Sequence, residues 1–510
     1  MGADTGAGVG SGRSAREDLR GAAALLLGAG AVAVCGWAQQ SRLAGPHLSA
    51  ADESLVAAGY ALARFGVEGV PGGARRFVEL APVAEYGRRT GAFDRGMAAT
   101  GRELMLAVTL VAAALLWLLA RRLGLSGPAA AGAVLLFGLP PYALAAHQHP
   151  DPAALALPWL LATAVLGTVR RRLGWLAAGG CAAVAVLTLP VTGDPVTGRT
   201  VLILAWPVVA FGLAWVAAAG WRPLSRLRTP EGRAVPVRVA LAMTAGSAAV
   251  AVGVFAGGAW RVAADDDPQR QSAVAARDWV LANLRGTAPR LAVDDVTWVE
   301  LVRAGYPVDR LLSGTGLGPA AALPGGWRGL DLVIADPADP AALAPAARPA
   351  LASSRPQARF ASGGAAREVR YVVADLAAAT ERADAERTAC LVAGSMLAGN
   401  PRLHLSGDAA RALRAGDVDP RLVTVLAGIT AEHDLTVAGF PAVPGEEATD
   451  VPRRTVRVSA VDGRPAATAP GLRAWLTAQL RPYRPSAVST DRNDLVVRYD
   501  PPTPVGLLTS

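Results

Sequence analysis

The chain has 510 residues, of which 52% are hydrophobic, and it carries a formal net charge of +9. All of its fixed positive charge is arginine, and many arginines lie between apolar runs, so we interpret them as membrane-topology signals and expect no nucleic-acid partner. The three cysteines, Cys35, Cys181 and Cys390, have no spacing typical of a disulfide framework or a metal site. Apolar residues are concentrated before residue 260, which indicates a membrane half followed by a globular half.

Seven apolar runs in the first half are long enough to be transmembrane helices, because a helix needs about 20 residues to cross the hydrocarbon of a bilayer. The predicted spans are 19–38, 103–120, 128–147, 152–169, 174–191, 200–220 and 238–259. The first run could instead be a secretory signal peptide, since arginines precede its apolar core. Its core is long for that role, and the charges of the later loops require an odd number of spans before them.

Four arginine clusters assign the connecting loops to the two sides of the membrane, because cytoplasmic loops carry an excess of positive charge. The clusters are Arg13, Arg16 and Arg20; Arg121 and Arg122; Arg170, Arg171 and Arg172; and Arg222, Arg226, Arg228, Arg233 and Arg238. The N-terminal segment 1–18 is then cytoplasmic, and the loops 39–102, 147–151 and 192–199 face outward. About seven spans carry the chain across, so we expect residues from about 260 onward to be extracytoplasmic.

The long external loop 39–102 contains an acidic pair, Asp52 and Glu53, at the start of a predicted amphipathic helix. Ser49 is a candidate N-cap, and both carboxylates suit the positive end of the helix dipole, so helix capping explains them. A functional alternative is that the pair binds a divalent cation, or that one carboxylate serves as a general base. We expect the apolar face of this helix, which includes Leu55, to rest on the membrane surface.

The short external turn 147–151 places His147, His149 and Asp151 within five residues. Polar side chains at membrane depth are costly and often mark function, so these three are candidate substrate-binding residues. An interfacial polar turn, enforced by the neighbouring prolines, is the structural alternative. Arg199, at the start of the sixth span, is a candidate phosphate contact because its guanidinium matches phosphate oxygens; an interface anchor is the alternative.

The order of elements along the first half of the chain resembles that of the GT-C superfamily of membrane glycosyltransferases. One span comes first, then an external loop with an acidic pair, and then short spans. The acidic pair of that family corresponds here to Asp52 and Glu53, which the resemblance implies to be catalytic or metal-linked. The stretch from Leu139 through Asp151 to Leu160 is similar to the second external turn of family-39-like members. Usual members have more spans and further acidic neighbours beside the pair.

The remainder, 260–385, alternates helix and strand patterns and is predicted as an extracytoplasmic α/β domain. Expected helices are 270–285, 296–304 and 338–352, and expected strands are 290–293, 331–336, 357–361 and 367–373. The run 291–306 is similar to the C-terminal extracytoplasmic domain of family-39-like enzymes from high-GC bacteria. Asp294, Asp295 and Asp336 follow strands, where they either bind a sugar or cation or cap the next helix.

The last segment, 386–510, is predicted as an extracytoplasmic α+β domain that serves as an interaction or substrate-handling module. Its expected helices are 386–399, 407–414, 418–433 and 469–480, and its expected strands are 435–440, 453–459, 486–490 and 494–499. The complete fold expectation is therefore an α-helical polytopic membrane domain, 19–259, followed by extracytoplasmic α/β and α+β domains.

The resemblance implies a bacterial, multi-pass plasma-membrane glycosyltransferase. It would move a sugar from a polyprenyl-phosphate donor in the membrane lipid to an extracytoplasmic cell-envelope acceptor, with a divalent cation as a possible cofactor. The alternative is a non-catalytic membrane-anchored envelope protein whose external domain binds a wall polymer or a protein partner. An outward-opening groove lined by Asp52 would favour the enzyme.

Overall fold

The computed structural model describes residues 11–40, 50–141, 144, 147, 149–169, 172–188, 203–214, 267–284, 288–319, 325–469 and 471–508. The chain divides into two compact units, Met1–Asp267 and Pro268–Ser510. Among the described residues, the first unit is built of helices, and both β-sheets lie in the second unit.

The helices of the first unit follow one another with short connections. They are α1 (Ser11–Gln40), α2 (Ala50–Phe65), α3 (Phe77–Thr90), α4 (Ala92–Arg95), α5 (Met97–Arg122), α6 (Gly127–Gly138), α7 (Pro152–Gly167), α8 (Arg172–Thr188) and α9 (Ile203–Ala214). Pro152 begins α7, where its fixed φ suits the first turn and its missing N–H leaves no partner unsatisfied.

Two helices in the described part of the chain have the length and apolar character to cross a membrane, Gly21–Gln40 of α1 and all of α5. Both coincide with predicted spans. The helices α6, α7, α8 and α9 are also apolar and fall on the next four predicted spans, but they are shorter. The predicted span 238–259 lies outside the described residues. The two longer helices are therefore present as candidate membrane helices, and the seven-span topology stays a prediction.

Glycines allow close contact between α1 and α6, as is common where helices associate through small residues. A Cβ atom on Gly127 would lie 2.9 Å from the Ala24 methyl carbon. A Cβ atom on Gly138 would lie 2.5 Å from the Cys35 sulfur. Both approaches are shorter than ordinary van der Waals contact, so side chains at these two positions would force the helices apart.

The helix α2 is covered by protein instead of by lipid headgroups. Leu55, Val56 and Leu62 on its apolar face are each less than one-tenth exposed. Gly59 of the same helix packs closely against Val83 of α3. The expectation that this face rests on the membrane surface is wrong, because the segment that follows α2 folds back over it.

The first sheet of the second unit has five strands. They are β1 (Leu291–Val293), β2 (Leu311–Leu312), β3 (Leu332–Ala335), β4 (Ser354–Ser362) and β5 (Ala365–Val372), in the order β2-β1-β3-β5-β4. The pairs β1–β2 and β1–β3 are parallel, and the remaining pairs are antiparallel. The helices α10 (Pro268–Asn283), α11 (Asp295–Arg303) and α12 (Arg348–Ala352) accompany this sheet.

The second sheet has six strands, β6 (Leu403–Leu405), β7 (Leu435–Gly439), β8 (Thr455–Val461), β9 (Arg464–Pro465), β10 (Ala487–Asp491) and β11 (Asp494–Arg498). Its order is β10-β11-β8-β7-β6, with β9 paired to β8. The helices α13 (Leu376–Ala398), α14 (Gly407–Arg414), α15 (Pro420–Thr430) and α16 (Leu472–Ala478) complete this part. Its core includes Leu422, Leu435 and Val458, which are all buried.

A buried ion pair joins helix α10 to the segment that enters β8. The guanidinium of Arg454 contacts the carboxylate of Glu446 at 2.7 Å, and both side chains are closed to solvent. Trp279 donates its indole N–H to Glu446 at 2.9 Å, and Asn283 accepts from Arg454 at 2.7 Å. A buried pair is tolerated only when hydrogen bonds satisfy both charges, and these neighbours provide them.

One expected helix of the second unit is mostly absent. The interval 338–352 forms a helix only over its last five residues, Arg348–Ala352, preceded by the short 3-10 turn Pro340–Ala342. Prolines recur through this interval, and each removes a backbone N–H that a continuous helix would need.

Candidate functional site

The acidic pair and the external turn meet in the structure. Asp52 lies in the first turn of α2, and His149 lies in the turn that precedes α7. Nδ1 of His149 is 2.7 Å from Oδ2 of Asp52, although 97 positions separate the two residues. Two of the predicted site residues therefore form a direct hydrogen bond.

The two partners differ in their access to solvent. The Asp52 side chain is 6% exposed, whereas the His149 side chain is 25% exposed. When Nδ1 donates its proton to the carboxylate, Nε2 carries the lone pair that can accept a proton from another molecule. The arrangement is suited to a base in which histidine meets the other molecule and aspartate holds the imidazole.

The other two residues of the external turn have local structural roles. His147 is 3% exposed and packs on Phe137, with the ring centroids 5.0 Å apart. Asp151 caps α7, because its Oδ1 accepts the backbone N–H of Ala153 at 2.7 Å. Capping was not predicted for Asp151. It fixes the start of α7 at Pro152, three residues after His149.

The remaining predicted residues are placed in part. Glu53 lies beside Asp52 in the first turn of α2 and is 8% exposed, so both carboxylates are buried. Arg199 and Ser49 lie outside the described residues, and so their predicted roles as phosphate contact and N-cap stay predictions.

The described side chains do not form a complete metal site. Among them there is no group of three or more His, Cys, Asp and Glu residues that could hold a metal ion. One oxygen of Asp52 is already bonded to an imidazole nitrogen. The divalent cation at Asp52 and Glu53 stays a prediction.

Sequence reasoning missed a second buried carboxylate, Glu103, whose side chain is fully closed to solvent. Arg95 of α4 forms an ion pair with it, and the hydroxyl of Tyr86 on α3 donates to it at 3.1 Å. Burial, followed by the neighbouring carboxylate, raises the pKa of Tyr86 above its ordinary value. The signal was an acidic residue in the first turns of an otherwise apolar helix, which is costly unless paired.

The aspartates at strand ends in the second unit form hydrogen bonds or ion pairs with other residues of the same unit. Asp294 accepts the backbone N–H of Thr297 at 3.0 Å and pairs with Arg367 at 2.7 Å. Asp295 accepts the N–H and hydroxyl of Thr315. Asp336 accepts the N–H of Ala338 at 2.9 Å. These contacts support the capping interpretation for Asp294. Asp336 caps no helix, because the expected helix 338–352 forms only over Arg348–Ala352. Binding of a sugar or cation by these aspartates stays a prediction.

Comparisons with protein families, with curated proteins and with solved structures found no match for this chain. The site therefore has to be judged from its own geometry. That geometry consists of a buried carboxylate, an imidazole bonded to it and partly open to solvent, and a helix cap that fixes the turn carrying the imidazole.

Proposed function

We propose that this chain is a multi-pass plasma-membrane glycosyltransferase of the GT-C type. It transfers a sugar from a polyprenyl-phosphate donor to a cell-envelope acceptor on the extracytoplasmic side. The observation that carries the proposal is the 2.7 Å hydrogen bond between Asp52 and His149. It joins the two short segments that the sequence resemblance singled out independently of each other.

The reaction proposed for this site is an inverting displacement. His149 accepts the proton of an acceptor hydroxyl as that oxygen bonds to the anomeric carbon of the donor sugar. The bond from the anomeric carbon to the phosphate oxygen breaks, and polyprenyl phosphate leaves with the electron pair. Asp52 holds the imidazole in one orientation and stabilises its charged form, a positioning role for a buried carboxylate.

Membrane insertion is supported by large apolar side chains that the helices of the first unit leave uncovered. They include Leu25, Trp37, Val111, Leu173, Trp175 and Val208, all more than half exposed. Soluble proteins rarely expose so many large apolar side chains on one unit, whereas lipid covers them without cost. The proposal therefore includes further spans beyond the two longest helices.

The proposed orientation is supported by the charges at one end of α5. Arg121 and Arg122 lie in its last turn, as expected for a cytoplasmic end. The opposite end of α5, which adjoins the loop 39–102, is then extracytoplasmic in the proposal.

The test compares Asp52→Asn and His149→Gln with Glu68→Gln, which changes an exposed acid of the same loop. The full chain, in proteoliposomes, is given a panel of polyprenyl-phosphate monosaccharides labelled in the sugar, with released polyprenyl phosphate and transferred label both measured. We expect the first two variants to lose about 10²–10⁴-fold in rate, which is typical of general-base catalysis, and the third to keep its rate.

Undiminished transfer by both site variants would overturn the assignment of this pair. A chain that is correctly inserted but transfers no sugar from any donor of the panel would favour the non-catalytic envelope anchor. Protease protection of the C-terminal unit in intact cells would place it in the cytosol and remove the compartment on which the reaction depends.

A further inference from the structure

The second unit contains a long stretch with positive charge only. Between Asp462 and Asp491 there is no acidic residue, and four arginines occur, Arg464, Arg473, Arg481 and Arg484. The helix α16 and the turn that follows it lie within this stretch. We call residues 471–484 the basic apolar segment.

Two large apolar side chains of the basic apolar segment, Leu480 and Trp475, are exposed. Leu480 is 82% exposed, the highest value among the large hydrophobic residues that the structure describes. Trp475 is 39% exposed, and the arginines 473, 481 and 484 are exposed as well. The opposite side of α16 is anchored, because Leu472 and Leu476 are buried in the core beside the second sheet.

This combination fits a lipid surface better than it fits water or a protein core. Tryptophan and leucine side chains insert into the boundary between headgroups and acyl chains, and arginines on the same segment bind anionic headgroups. Leu480 is held at a corner, since the backbone N–H groups of Tyr483 and Arg484 both bond to its carbonyl oxygen. The corner presents Leu480 without any unfolding of the core behind it.

We infer that the basic apolar segment is a membrane-docking surface that takes an anionic bilayer as its partner. The charge of the segment selects anionic lipid, and the exposed Leu480 and Trp475 supply the apolar insertion. The first unit keeps the chain at a membrane if it is inserted as proposed, so docking by this segment is an intramolecular event that needs little intrinsic affinity. The inference does not depend on the sugar-transfer reaction.

The test places an environment-sensitive fluorophore at Leu480→Cys in the full chain, with Cys35, Cys181 and Cys390 replaced by alanine. The protein is reconstituted in vesicles of phosphatidylcholine alone or with phosphatidylglycerol, in 0.1 M and in 1 M salt. We expect emission at shorter wavelength in the anionic vesicles at low salt and loss of that shift at high salt, because salt screens exposed charges. The same fluorophore at Val505→Cys, another exposed apolar position, should not shift.

Replacing Arg473, Arg481 and Arg484 with glutamine should lower the docked-to-free ratio by on the order of a hundredfold, since each arginine near an anionic surface contributes about a fivefold factor. These arginines are exposed, so the thermal unfolding midpoint should stay unchanged and confirm that the variant is folded. Equal emission in both lipid mixtures, or a shift that survives the triple replacement, would overturn the inference. The fluorescence shift can be measured whether or not the protein transfers sugar. A failure of the docking inference can therefore be distinguished from a failure of the proposed function.

Discussion

Asp52 is nearly closed to solvent, whereas His149, bonded to its carboxylate at 2.7 Å, keeps a quarter of its side chain exposed. The sequence favoured the acidic pair as the reacting group. The His149 side chain is the more exposed of the two, so in the proposed reaction His149 is the residue that contacts the acceptor. If the two side chains act through this one hydrogen bond, removing either of them should remove the contribution of the pair to the transfer rate.

The first prediction is therefore kinetic non-additivity. Asp52→Asn and His149→Gln should each reduce transfer strongly, and the double variant should be about as slow as the slower single variant. The measurement is kcat and kcat/KM for the four proteins of the cycle. If the two reductions multiply, the residues act independently, and the coupled base is the wrong description.

The second prediction concerns the buried ion pair of the second unit. Arg454→Met leaves the Glu446 carboxylate buried without its charge partner, which should lower the free energy of unfolding by about 3–5 kcal/mol. Arg457→Met is the matched control three residues later, because its pair with Asp491 is 42% and 51% exposed. Exposed pairs contribute below about 1 kcal/mol, so the control should change little. Denaturant unfolding of the full chain measures the free energy of unfolding of both variants. Equal losses of stability would contradict the expected difference between the buried and the exposed ion pair.

The third prediction concerns the cluster around Glu103. Glu103→Ala should destabilise the first unit by about 3–5 kcal/mol, because Arg95 loses its buried partner. Tyr86→Phe removes only one hydrogen bond to a charged group and should cost about 1.5–3 kcal/mol. Glu85→Gln on the same helix α3 is an exposed control and should stay within about 0.5 kcal/mol. Thermal unfolding in detergent ranks the three variants by their loss of stability. A loss for Tyr86→Phe as small as that of the control would show that the hydrogen bond from Tyr86 contributes nothing measurable.

The fourth prediction concerns Cys390, which is 2% exposed. Burial, with a smaller effect of the Glu386 carboxylate, raises the pKa of its thiol from 9.0 to about 12. The folded protein should therefore resist iodoacetamide at this position at pH 8, whereas the denatured chain should react. The thiol of the unfolded chain ionises at lower pH than the buried thiol of the folded protein. Its contribution to the stability of the folded state is therefore fully present below pH 9.0 and is lost as the pH rises towards the folded pKa.

Peptide mass spectrometry after labelling, with and without denaturant, measures this difference. Alkylation of Cys390 in the folded protein at the rate seen in denaturant would show that the thiol is accessible in solution.

Much of the second unit could be predicted because its elements have an apolar face of the right period. The helix 407–414 and the hairpin on either side of Arg492 and Asn493 were predicted within one residue of their observed bounds. The strand β2 has two residues and β6 has three, which is too short for an alternating pattern. The first half of α13 was missed because its residues are mostly exposed and therefore give no apolar stripe.

The site could be predicted as a set of residues but not as an arrangement. Asp52 and His149 were both singled out, yet nothing local to either residue indicates that they form a hydrogen bond across 97 positions. The capping role of Asp151 was not predicted, although an aspartate directly before Pro152 at the start of a helix is a local signal for it. The pairing of Asp52 with His149 depends on how the helices of the first unit pack, since α5 contacts both α2 and α7.

The partners of α10 have a consequence for the order in which this protein can be made. Trp279 and Asn283 find Glu446 and Arg454 only 167 and 171 positions later. During synthesis the first helix of the second unit therefore precedes these partners by about three quarters of the unit. A chain that ends before residue 446 leaves Trp279 and Asn283 without these two contacts.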